Sequence, residues 1–234
     1  SVAVSVTTTA GADITTTGTQ AYTGLVTLSG TAATRNFTGT TVTFTGGVTG
    51  GINSLKVTGN AIITADSTAT SVTVTGTTSL WGSITTTSNQ SYTGAVTLAG
   101  TGNLTGTSPA TLTTTAGITG AGNNLTLNFP TVDVGSTITG VANLAVTGAT
   151  AINLGTVTTT GTQTYAGAVT VASNVTMTTT NADMTFGGAV DSATDAAYAL
   201  DIRAGSGTVT FDRSVGWLRP LQTEHQLPQT LMQH

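Results

Sequence analysis

Nine acids are the residues of this chain best suited to do chemistry, and four of them cluster: Asp183, Asp191, Asp195 and Asp201, near Arg203 and Arg213. A glycosidase needs two carboxyl groups about 5–10 Å apart across a cleft. The spacing of these aspartates matches no such motif, and the sequence does not place the four in a cleft. The metal reading of the same group, Asp183, Asp191, Asp195 and Asp201, is a calcium site, but no D-x-D-x-D-G pattern accompanies it. The plainer expectation is that they solvate turns or pair with the arginines. His225 and His234, nine apart, lack the spacing of a zinc site. There is no cysteine, no G-x-x-x-x-G-K-[ST] loop and no G-x-S-x-G turn. The expectation is a non-enzymatic chain without a cofactor.

Asn36, Asn89, Asn103, Asn124 and Asn174 each open an N-x-[ST] sequon. In a chain with about 60 threonines such triplets arise by chance, and glycosylation is the minority reading.

The elements that would position these residues are set by a repeat. The stretches "ITTTGTQAYTG" from Ile14, "ITTTSNQSYTG" from Ile84 and "VTTTGTQTYAG" from Val157 are near copies, at offsets of 70 and 73. They define units of approximately 14–83, 84–156 and 157–213 within a repetitive region, 1–213. Tyr22, Tyr92 and Tyr165 are expected to pack across a corner with the hydroxyl exposed. Gly24, Gly94 and Gly167 are expected in turns that need a positive φ. Gln20, Gln90 and Gln163 are expected to bond turn backbone.

Between these marks the pattern is that of strands. "TVTFT" (41–45) sets Val42 and Phe44 on one face against three threonines, and "SVTVTG" (71–76) repeats the alternation; the apolar residues are expected inward and the threonines outward. Thr and Val favour strands because β-branching stiffens χ1, and the 30 glycines supply turns. Regular alternation and a mean hydropathy of +0.22 argue against disorder. The units are too polar and too poor in aromatics for separate sandwiches, and three units do not close a propeller. A parallel β-solenoid needs only short strands, tight turns and neighbours to stack on. The expectation is all-β, with roughly three coils of about 23 residues per unit.

Only 6% of residues are charged, the net charge is −4, and Lys56 with Arg35, Arg203, Arg213 and Arg219 forms no basic stripe. Nucleic acid is therefore not an expected partner. No apolar run is long enough for a membrane-spanning helix.

"VTTTGTQTYAGAVTV" (157–171), followed by "MTFGGAV" from Met184, resembles the repeats of filamentous-haemagglutinin-like large exoproteins, over about residues 1–212. The resemblance implies a right-handed parallel β-helix, the shaft of a secreted bacterial surface adhesin that mediates attachment or biofilm. It implies a host or environmental surface, or a carbohydrate, as the partner. The family's secretion domain and membrane barrel are not in this sequence, so the expectation is a length of shaft or a short relative. Two other readings stand beside it. One is a subunit that self-assembles into a filament through its solenoid ends, a homo-oligomer. The other is a Thr-rich ice-binding solenoid, disfavoured because strand spacings of 12–17 look too uneven for a flat face. Residues 214–234 break the pattern and read as a cap or assembly element anchored by Trp217 and Leu218.

Overall fold

A computed structural model describes residues 1–216 apart from 108, 154 and 194–197. Trp217 and Leu218, with the rest of 217–234 and Asp195, lie outside the described residues. Every regular element described is a strand, and every strand pairing is parallel. The chain winds as a β-solenoid with three faces, visited in a fixed order. The first face begins at Val2–Val4, the second at Thr8–Ala10 and the third at Ile14–Thr15. Gln20–Tyr22 then returns to the first face and pairs with Val2–Val4.

The second face is a sheet of eleven strands with one strand per coil. The other two faces are joined into a 19-stranded sheet. Two long strands, Thr34–Phe44 and Ser54–Ile63, cause the join by running from the third face across the corner onto the first. Their mutual register shifts between Thr38 and Thr41, where the corner lies. Gly59 in that corner has φ +125, and a Cβ there would stand 1.9 Å from the carbonyl oxygen of Gly39 in the preceding coil. A side chain is excluded both by conformation and by space.

Inward residues stack in columns. On the first face one column runs from Val2 through Gln20 and Val42 to Ala61. It continues through Thr78, Val96, Ile118, Ile138, Val157 and Met177 to Ile202. Ten steps cover those 200 residues, so a coil averages 20 residues rather than the expected 23. Valine, leucine, isoleucine and phenylalanine dominate the fully buried set, in one continuous core. Each such side chain contributes roughly 1.5–3 kcal/mol by leaving water.

Corners carry the polar half of the design. An Asp or Asn directly before an inward residue accepts the backbone N–H at the same corner of the next coil. Asp13 accepts from Asn36 at 2.9 Å, Asp66 from Ser83 at 2.7 Å and Asn89 from Thr111 at 2.9 Å. Asn143 accepts from Thr162, Asn174 from Ala199 and Asp183 from Thr208 in the same way. This satisfies a donor that the turn would otherwise leave to water.

Candidate functional site

The recurring eleven residues build one device three times. In the first copy the Thr16 hydroxyl donates to the Gly18 carbonyl at 3.0 Å and closes a tight turn. Gln20, buried beyond the turn, donates from Nε2 to the carbonyls of Ile14 (3.1 Å) and Thr38 (2.7 Å), the latter one coil up. The Tyr22 hydroxyl donates to Gln20 Oε1 at 2.9 Å. Gln20 and Tyr22 can meet because residues two apart on a strand share a face. The second copy repeats every bond: Thr86 to Ser88, Gln90 to Ile84 and Thr105, Tyr92 to Gln90. So does the third: Thr159 to Gly161, Gln163 to Val157 and Thr178, Tyr165 to Gln163.

Three expectations are corrected here. The tyrosines do not expose their hydroxyls: Tyr22, Tyr92 and Tyr165 are 1%, 0% and 1% exposed. Burial raises the pKa of all three. A phenol can be buried because the glutamine two residues earlier brings its own acceptor. The threonines are not all outward, since Thr86 and Thr159 are 1% exposed and hold the turn from inside. Gly24, Gly94 and Gly167 do not have positive φ. They are glycine because coils touch there. A Cβ would lie 2.4 Å from Val6 C at Gly24, and 2.3 Å from Gly76 O and Gly148 O at Gly94 and Gly167.

The three copies do not lie on one face. Gln20–Tyr22 is on the first face, Gln90–Tyr92 on the third and Gln163–Tyr165 on the second. Each copy follows the last by eleven strand positions, counting each long strand once per face it serves. Eleven is one short of four full coils, so the motif steps back one face at every repeat. The unit therefore spans three and two-thirds coils rather than three.

The acidic cluster is dispersed by the same winding. Asp183 caps a corner of the second face, and Asp191 lies on the third face beside Thr170. Asp201 lies on the first face, paired with Arg203 at 2.6 Å. That hydrogen bond and the charge of Asp201 raise the Arg203 pKa. Residues 8–10 apart here lie on successive faces of a three-faced coil, so neighbours in sequence face different directions. Among the described residues no group of three His, Cys, Asp or Glu side chains could hold a metal ion. Of the sequon residues, Asn89, Asn124 and Asn174 accept backbone N–H groups from the next coil. Asn36 bonds Thr38 and Thr58, and Asn103 donates to Ser83.

Two surface features escape a reading by motif. Outward threonines on the second face, Thr9, Thr27, Thr49, Thr68, Thr85 and Thr105, stand in register through six coils. The uneven spacing in sequence is taken up at corners and does not disturb this face. Trp81, 53% exposed, stands at the corner between the first and second faces, and the residues aligned with it in the sequence repeats are Gly11 and Leu154. A break in the repeat was its only sequence signal. No family model, curated protein or solved structure matches the chain.

Proposed function

We propose that the chain is a non-enzymatic structural segment, the shaft of a secreted bacterial surface adhesin acting in attachment or biofilm formation. The observation that carries this reading is the inward use of the repeated motif. Its glutamine, tyrosine and one of its threonines are spent on corners, on all three faces in turn. A repeat built around a ligand would keep its polar groups outward and on one side. The resemblance of the repeats to filamentous-haemagglutinin-like exoproteins supports the same role. An extended, lightly charged solenoid of about 50 Å suits a spacer that holds another element away from a cell.

The test is to label intact cells of the source with antibodies against the purified chain, and to measure how well those cells attach after the coding region is deleted. Surface labelling with reduced attachment is expected. Labelling only after lysis, or release of reducing ends when the pure chain meets a polysaccharide panel, would overturn the reading.

A second reading rests on the in-register threonine row of the second face: contact with a flat repeating lattice such as ice. Ice growth unaltered by the pure chain would dispose of it.

A further inference from the structure

The second face holds a row of hydroxyls and, at its two borders, most of the exposed apolar side chains. Thr9, Thr27, Thr49, Thr68, Thr85 and Thr105 point out from successive coils, about 4.8 Å apart. Among the described residues five large hydrophobic side chains are exposed, and four of them flank this face. Val6, Leu25 and Trp81 stand on the corner by which the chain enters it, each between a first-face strand and a second-face strand. Ile52 stands on the corner by which the chain leaves, in the turn between Val48–Thr49 and Ser54–Ile63. The only charged residue within or directly beside the six strands that carry the row is Asp66, and its Oδ1 accepts the Ser83 N–H at 2.7 Å.

The coils on either side leave Trp81 uncovered. In the coil below, Ile63 pairs with Leu80 and Ser67 with Ile84, so the facing corner is Thr64, Ala65 and Asp66. In the coil above, Leu98 pairs with Leu80 and Leu104 with Ile84, so the chain advances six residues where it advances four at Trp81. Ala99, Gly100 and Thr101 lie in that longer corner, and a Cβ at Gly100 would stand 2.7 Å from the Trp81 carbonyl oxygen. Neither corner offers a large side chain to lie over the indole. A ring left in water gains from any apolar surface laid on it.

Sugar rings suit this combination. A pyranose has a face of C–H bonds and a rim of hydroxyls; indole buries the first, and threonine, both donor and acceptor, meets the second in either sense. A charged polymer finds no field to steer it here. A protein partner would need a contiguous apolar centre, whereas Val6, Leu25, Ile52 and Trp81 belong to four different coils. Contact with a lattice such as ice uses the hydroxyls alone and gives the tryptophan no part. Trp81 and Thr85 are four residues apart, at most about 13 Å along the chain, so an oligosaccharide rather than a single sugar reaches both. We propose that the second face binds a neutral polysaccharide, with one sugar ring stacked on Trp81 and adjoining units hydrogen-bonded to Thr85 and its row neighbours Thr68 and Thr105. The proposal takes its biological role from the attachment reading and its chemistry from this face alone.

Depletion of the full chain from solution by microcrystalline cellulose, chitin and insoluble starch tests this, with hydroxyethylcellulose as a soluble probe. At least one of these should bind the chain and keep it at raised salt, since no ion pair is involved. Trp81→Ala should weaken that binding at least tenfold with the circular dichroism unchanged, because the side chain is exposed, and Trp81→Phe should restore part of it. The double variant Thr85→Val/Thr105→Val keeps the β-branched shape and drops two hydroxyls, and should weaken binding several-fold. In a Trp217→Phe chain Trp81 is the only tryptophan, and its emission should shift to the blue when the soluble probe is bound. Failure to bind any of the four overturns the proposal, as does binding that Trp81→Ala leaves intact. Binding confined to an anionic polysaccharide such as heparin, and abolished by salt, overturns it too. Cells that display the Trp81→Ala chain yet attach like the wild type would overturn the role of this face and leave the shaft reading standing. Absence of surface labelling would overturn the shaft reading and leave polysaccharide binding by the pure chain standing.

Discussion

The first and second copies of the motif have the same hydrogen bonds and different packing. Tyr22 lies under Phe44, its ring stacked at 5.6 Å, and meets Phe37 edge-on at 5.5 Å. Tyr165 of the third copy is likewise stacked under Phe186, which stacks under Phe211. Tyr92 has no such cover: the residue above it is Thr114, whose buried hydroxyl lacks a partner. The polar corner is therefore self-contained, travelling with its eleven residues to any face. The packing above it belongs to the next coil and is free to vary. The difference teaches that the repeat conserves turns before it conserves core.

Replacing the tyrosines gives the largest effect and tests that separation. Tyr92→Ala should cost about 3–5 kcal/mol, the range for emptying an aromatic site. Tyr22→Ala and Tyr165→Ala should cost about 0.5–1.5 kcal/mol more, for the lost ring pairs. Urea unfolding of the three variants checks this, and equal losses would break the comparison.

Alkaline titration comes next. The folded state keeps these phenols neutral, while the unfolded chain ionises them near the ordinary tyrosine value of 10.0. Their contribution is thus whole below about pH 10 and is lost as pH rises above it. Each tyrosine should remove about 1.4 kcal/mol per pH unit in that range. In a Tyr198→Phe chain, tyrosinate absorbance rising only together with loss of the strand circular dichroism is the expected result.

Gly24→Ala, Gly94→Ala and Gly167→Ala should each destabilise by about 1–3 kcal/mol, because backbone must move to admit a methyl. Thermal unfolding should place the three together, since the close approach is part of the shared corner. Thr114→Val should stabilise the second copy by about 1 kcal/mol by removing an unpaired buried hydroxyl. No gain by calorimetry would show that Thr114 is satisfied in solution. Asp201→Asn should leave the unfolding midpoint unchanged, because Arg203 is largely exposed and its pair is screened by water.

The solenoid was legible because alternation such as Val42-Thr43-Phe44 has one structural meaning, and threefold repetition demands stacking. The corner device was half legible. Gln20 and Tyr22, two apart, had to share a face, but "exposed hydroxyl" was the wrong inference, since only the fold shows that an acceptor is buried with the ring. The aspartates misled for a different reason. Closeness in sequence is not closeness in space when some ten residues carry the chain from one face of the coil to the next.

By itself the sequence determined strand type, the alternation of apolar and polar faces, and a threefold repeat of about 70 residues. These depend on local sterics and on a two-residue period. The tertiary structure alone decided how many residues close a coil, and hence on which face each copy falls. That number is set by where backbone of one coil meets the next, at Gly24, Gly94 and Gly167, a contact between residues some 18–19 apart that no local preference encodes.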